Sequence, residues 1–247
     1  MPTPRVPRSL GQPPLVEAIF ELRFEPSQPA AGELLPGLLY QHFASSYPEA
    51  SQLPLGELPS AVRENEALRY QPTHRLAGKT GIIQVGHRVA FLSCPTPYPG
   101  WNDFRSRVSD LVTALGSTQL VTRVERFSFR FLNVIPAESE HQLSLLNTEM
   151  ILMGQPVPEH GFQLRVEIQQ SPLTTIVQLR TGTVAKLPDG SERTGLMVDV
   201  DTICAVQHDE FWNNTAAALE RSHSELKRIF FSVLKTEVIE TFVPVWD

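Results

Sequence analysis

Arg126 and Arg130 stand four residues apart in the run Arg126-Phe127-Ser128-Phe129-Arg130-Phe131-Leu132-Asn133. On a strand rising about 3.3 Å per residue they share one face, roughly 13 Å apart. Two guanidinium groups so placed could each take a carboxylate or phosphate through a two-pronged hydrogen bond. The competing reading is ordinary sheet chemistry, with each arginine paired to an Asp or Glu on a neighbouring strand. Asn133 faces the other way. Asp199 and Asp201 alternate within Leu196 to Val206 and also share a face, roughly 7 Å apart. Such a pair could hold a cation or act as acid and base. No Glu or His stands at an obvious third ligand position, so a solvated face or arginine partners is the plainer assignment. His223 interrupts an otherwise apolar helical seam. A functional His there needs an open pocket and an orienting carboxylate, for which Asp199, Asp201, Glu17 and Glu125 are candidates. The alternative is a core histidine hydrogen-bonded to a backbone carbonyl or a carboxylate.

Arg126, Arg130, His223, Asp199 and Asp201 therefore make up the candidate ligand-binding set. No catalytic residue, metal site or cofactor is expected. The chain has no Gly-x-x-x-x-Gly-Lys loop, no Gly-x-Gly-x-x-Gly after a strand, no Gly-x-Ser-x-Gly elbow and no His-Glu-x-x-His. His208-Asp209-Glu210 reads as a helix start, with Asp209 as N-cap and acid suited to the helix dipole. His74, His87, His141 and His160 fall near predicted loops or turns and support no cluster. Tyr98 and Trp101 form an aromatic pair after a Pro-rich loop, where they line a ligand mouth or staple a helix to the sheet.

The elements that must carry these residues follow from hydrophobic period. Residues 1–13 hold four prolines and a glycine and read as an extended, poorly ordered arm. Val16, Ala18, Phe20, Leu22 and Phe24 alternate with a mostly polar face, which predicts a half-buried strand. Residues 33–47 carry helical spacing, and Pro36 places the helix start near it. Residues 48–65 are a Pro-rich connection. Residues 67–93 read as a meander with strands over Ile82 to Val85 and Val89 to Leu92. Trp101 to Leu115 is an amphipathic helix with Gly116 beyond its end. Val121 to Ile135 is the longest strand, with a short helix expected over Gln142 to Met153. Further strands follow over Phe162 to Gln170, Thr174 to Thr181 and Leu196 to Val206. A long helix from about Asp209 to Glu237 carries the seam Trp212, Ala216, Leu219, His223, Leu226, Phe230 and Val233.

Strand, helix, several antiparallel strands and helix thus occur twice, over 14–116 and 121–240, within a single domain spanning 14–247. The order predicts an α+β fold with helices on one face of a curved antiparallel sheet. That architecture is similar to the helix-grip fold and to the duplicated saddle of the TATA-binding protein. With 247 residues, 41% of them hydrophobic, the chain can bury a sizeable core. A net charge of −6 argues against nucleic-acid binding. Neither a spanning apolar run nor a signal peptide is visible. With Cys94 and Cys204 as the sole cysteines, the expectation is a cytoplasmic protein with buried thiols.

Four segments resemble one sporadically distributed, uncharacterised family of bacterial proteins. They are Pro14 to Phe24, Tyr98 with Trp101 and Phe104, Arg126 to Asn133, and His223 followed by Phe230 or Phe231. The resemblance supports the fold and supplies no reaction. The family's scattered occurrence implies an accessory role, such as defence or toxin neutralisation. The leading expectation is a non-enzymatic binding or interaction protein, its partner another protein or a copy of itself. The alternative is a protein that binds a small anionic ligand between the sheet and the C-terminal helix, through Arg126, Arg130 and His223.

Overall fold

The computed structural model describes residues 5–206 and 208–246, with the backbone alone for 208–210. The side chains on which an Asp209 cap depends lie outside the described residues. In chain order the elements are β1 (Ser9–Leu10), β2 (Leu15–Pro26), α1 (Ala31–Phe43), β3 (Glu49–Gln52), α2 (Ser60–Arg63), β4 (His74–Gly78), β5 (Gly81–Val85), β6 (Val89–Pro95) and α3 (Trp101–Ser117). After these come β7 (Val121–Pro136), β8 (Ile151–Leu152), β9 (Gln155–Pro156), β10 (Gln163–Gln170), β11 (Leu173–Lys186), β12 (Glu192–Ala205), α4 (His208–Val233), α5 (Thr236–Glu240) and β13 (Pro244–Val245).

Nine of the strands form one open antiparallel sheet in the order β10-β11-β12-β7-β2-β6-β5-β4-β3. The strands of 14–116 fill one side of the β2–β7 junction and those of 121–240 fill the other. At that junction Phe20 lies opposite Phe129 and Leu22 opposite Phe127. Alternation along β7 sends Phe127, Phe129 and Phe131 to one face, where α3 and α4 cover them. Phe104 of α3 meets Phe129 and Phe131, and Phe211 of α4 meets Phe127. The terminal stripe packs onto the sheet as expected from Leu219 through His223 and Leu226 to Phe230, all buried. Ala216 is exposed instead, just beyond Asn214, which leaves helical geometry (φ −124°, ψ 21°) and separates the first turns of α4 from the rest. No described helix is long and apolar enough to cross a membrane.

Several local expectations are corrected. Residues 142–153 are not a helix but a 3-10 turn at Leu143–Leu145 followed by the β8–β9 hairpin. Leu143, Leu146, Met150 and Met153 do recur at helical spacing, but the backbone of residues 145–147 pairs with that of residues 233–235 instead, and Ile151, Leu152 and Met153 stand exposed at the tip. α1 begins five residues before Pro36. The proline removes one helical bond, while the first turn is tied down by the Gly32 N–H donating to His87 Nδ1 at 3.2 Å. Gly116 lies inside α3, where a Cβ would stand 3.0 Å from the Trp212 ring. The chain reverses at Gln119 (φ 58°). The Pro-rich connection holds the edge strand β3, which pairs with β4. The last helix stops at Val233, where the backbone is drawn off to pair with residues 145–147: Asn147 N–H donates to Val233 O (2.7 Å) and Lys235 N–H to Leu145 O (3.0 Å). The N-terminal arm is paired, with Ser9 opposite Val245 and Leu10 opposite Pro244.

Phe129 is fully buried against the rings of Phe20, Trp101, Phe104 and Phe127. Phe129→Ala is expected to lower unfolding stability by about 3–5 kcal/mol in a urea titration. Leu34→Ala on the exposed side of α1 should change it by about 0.5 kcal/mol or less. Equal effects would contradict this placement of the core.

Candidate functional site

On the sheet face that no described helix covers, alternation places Arg126, Ser128 and Arg130 of β7 beside outward residues of β2 and β12. Arg130 grips Asp199 with two prongs, Nε to Oδ1 at 2.9 Å and Nη2 to Oδ2 at 2.6 Å. Gln178 Nε2 adds a third donor to Oδ2 at 3.2 Å, and Asp199 is only 1% exposed. One strand over, Arg126 Nη2 and Arg23 Nε both donate to Glu21 Oε1 at 2.7 Å. The Ser93 hydroxyl donates to Glu17. The ion-pair reading thus describes both arginines, and Asp199 is consumed as a partner. Among the described residues no group of three His, Cys, Asp or Glu is arranged to hold a metal.

Asp201 lies opposite Arg130 in the register, yet Arg130 bonds to Asp199. Burial pushes the Asp201 carboxyl up to about 6, opposed by a hydrogen bond from Ser128 and by the charges of Arg126 and Arg130. Its Oδ1 is buried without a hydrogen-bond partner. This is a carboxylate held in a satisfied ion-pair lattice without a full share of donors.

His223 lies on the opposite face of the sheet, so the five sequence-selected residues do not converge. Its ring stacks on the Trp101 indole, with centroids 3.6 Å apart and planes 5° from parallel. Burial pushes its pKa down to about 3, with Lys227 and Arg105 adding to the shift. It is a neutral imidazole at physiological pH. Asp199, Asp201, Glu17 and Glu125 all belong to the other side of the sheet and do not orient it. The carboxylate near this stack is Glu220, which accepts from Trp101 Nε1 (2.8 Å) and Arg105 Nη1 (3.2 Å).

The stack borders a cavity of about 200 Å³ between β7, the start of α3, α4 and the N-terminal arm. Tyr98, Trp101, Phe131, Asn133, His223 and Leu226 supply its inner wall. Pro7 to Leu10, with Pro13 to Leu15, close its outer side. Two cations clasp that arm: Lys227 Nζ donates to Pro7 O (2.9 Å) and Arg8 O (3.2 Å), and Arg193 Nη1 donates to Pro14 O (2.8 Å). Asn133 Nδ2 spends its protons on Phe131 O and Val198 O, both at 3.2 Å.

The cavity borders the C-terminal helix, but its lining is not the set named for an anionic ligand. Arg126 and Arg130 are behind the sheet, and the walls are aromatic and aliphatic with a neutral His and one ammonium. Sequence reasoning did not select Glu220, Lys227 or the arm. Lys227 had a signal, since it follows His223 by four residues and shares its helix face. The arm had none, because backbone carbonyls carry no residue signature. No protein-family model matches the chain, and no curated protein matches it.

The two perturbed groups give opposite pH responses. Unfolded chains protonate His223 below about 6.5, but the folded chain resists until about 3. Stability is therefore lost as pH falls through that window, by at most ~1.4 kcal/mol per pH unit. His223→Leu is expected to flatten that slope in urea unfolding between about pH 6.5 and 4, and an unchanged slope would refute the buried neutral imidazole. For Asp201, the unfolded chain ionises above 3.8 and the folded chain only above about 6, so stability falls as pH rises between them. Asp201→Asn should stabilise at neutral pH by roughly 1–3 kcal/mol and lose that advantage near pH 4. Destabilisation at neutral pH would show that the charged form is favoured instead.

Proposed function

We propose that the chain is a binding protein that holds a small, largely apolar molecule in the cavity beneath its N-terminal arm. One observation carries the reading: residues from all four family-like segments meet at this cavity. Pro14 and Leu15 come from the first, Tyr98 and Trp101 from the second, Phe131 and Asn133 from the third, and His223 with Phe230 and Phe231 from the last. Segments from opposite ends of the chain contribute to one small space, and most of what they contribute is aromatic.

The chemistry follows from the walls. A stacked, neutral His223–Trp101 pair offers a flat apolar surface with a ring nitrogen as its polar atom. The Lys227 ammonium, which itself holds Pro7 O and Arg8 O, places positive charge at the arm side and so favours an anionic end there through its field. The volume lies below the about 300–1,000 Å³ typical of drug-sized ligands, which suits a metabolite-sized acid or amide. This narrows the expected anionic ligand to one with a single charged end. Interaction with a protein partner is the second reading, favoured by the helix-free sheet face, where Ile19, Phe91 and Ile82 are half-buried among the ion pairs. An accessory role in defence rests on the family resemblance alone.

A thermal-shift screen of small aromatic and branched-chain carboxylates should raise the melting point of the wild-type chain. Leu226→Phe, which fills the cavity from α4, should abolish the shift while melting close to the wild type. A shift that survives Leu226→Phe would place the ligand elsewhere. No shift across the panel, together with no copurifying small molecule in native mass spectrometry, would refute the ligand reading.

A further inference from the structure

The two ends of the nine-stranded sheet differ. One is β3, only four residues long. The other is β10, eight residues of regular strand whose outer side no described strand pairs. An unpaired strand of that length offers a row of free backbone donors and acceptors to another chain.

The side on which those donors lie follows from the β10–β11 register. Thr181 N–H donates to Phe162 O at 3.1 Å, and the same pairing continues without a shift from Gln163–Arg180 to Gln170–Leu173. In an antiparallel ladder bonding alternates residue by residue, so the even-numbered residues of β10 turn their N–H and C=O groups toward β11. Those of Gln163, Arg165, Glu167 and Gln169 point outward.

We infer that the chain forms a twofold homodimer in which β10 pairs antiparallel with β10 of a second copy, centred on Val166. That axis sets Arg165 against Glu167 of the other copy, Gln163 against Gln169 and Leu164 against Ile168. Every outward backbone group then meets another outward group, so the parity of the ladder is satisfied. Both faces match as well. Arg165 and Glu167 are exposed and lie 3.7 Å apart within one strand, and the dimer re-pairs each across the interface. On the helix side, Leu164 and Ile168 already pack against the core, while Val166 is 41% exposed. Its own symmetry mate covers it. Moving the axis to Arg165 or Glu167 keeps the bonding parity but sets like charge on like charge, which is unfavourable directly across a ladder. The strand is thus self-complementary in charge, side-chain size and backbone pattern at one register, and that points to a second copy rather than an unrelated strand. A twofold interface requires such self-complementarity.

Sedimentation of the full chain should show a concentration-dependent species of twice the chain mass. Arg165→Glu and Glu167→Arg should each weaken that dimer about tenfold or more, by creating two like-charge contacts. An equimolar mixture of the two variants should restore it as a heterodimer. One copy then presents carboxylates at both positions, and the other presents guanidinium groups directly opposite them. That recovery excludes misfolding as the cause. The register has its own readout. Val166→Cys should cross-link to its mate under mild oxidation, since self-paired positions have Cα atoms about 4.5 Å apart. Leu164→Cys should not, because its mate is about 14 Å away. The native Cys94 and Cys204 are buried and do not compete. The inference is overturned by a strictly monomeric chain, by a dimer indifferent to both charge changes, or by equal cross-linking at 164 and 166. Melting points of the variants near the wild type keep each result interpretable.

Discussion

The pairing of β2 with β7 is the constraint from which the rest of the molecule follows. β7 runs for sixteen residues, and a pleated strand alternates its side chains between two faces without exception along its regular length. Once Phe127, Phe129 and Phe131 are committed to the helix side, Arg126 and Arg130 are committed to the other. The alternation buries an aromatic cluster with Phe20 and Phe104, and it also separates the polar chemistry into two places that cannot cooperate. Asn133 goes with the phenylalanines and ends as a buried bracket between Phe131 O and Val198 O. A shift of one residue in this pairing would bury two guanidinium groups under α3 and α4, at a desolvation cost far above the worth of any surface ion pair.

On the open face each arginine of this cluster meets a carboxylate, Arg23 and Arg126 sharing Glu21 and Arg130 taking Asp199. Asp199 is nearly inaccessible although no helix lies over it, because Arg130 and Gln178 close around it. A pair of this kind adds little net stability but is costly to break from the arginine side, since Asp199 alone would be a buried, uncompensated charge. It therefore defines register between β7, β12 and β11 more than it strengthens the sheet. The same logic separates these arginines from a ligand site. A guanidinium already holding a carboxylate through two bonds has little left with which to draw an anion from water.

Much of the sheet was legible in the sequence, because strand alternation is a local signal and the run from Arg126 to Asn133 carries it plainly. The Arg–Asp pairing was legible as a type of contact but not as specific partners. Asp201 is opposite Arg130 in the ladder, whereas the guanidinium leans diagonally to Asp199, and side-chain reach of that kind is not encoded in spacing. What was illegible depends on backbone. The end of α4 at Val233 reflects hydrogen bonds to residues 145–147. Likewise the arm over the cavity is held by carbonyls of Pro7, Arg8 and Pro14. Neither leaves a mark in residue type. Trp101 and His223 were each noticed, but their face-to-face contact joins distant parts of the chain and needed the fold to appear.

The cavity and the open edge are separate consequences of one topology. Three strand spacings, about 14 Å, lie between β7 and β10, so the cavity can form without the second copy. They are linked by α4, which packs on both β7 and β12 and carries His223 and Leu226 into the cavity wall. A strand added beyond β10 would not touch that wall. It would extend the ladder from which β11 and β12 take their backbone bonds, so the edge and the cavity use separate parts of one sheet.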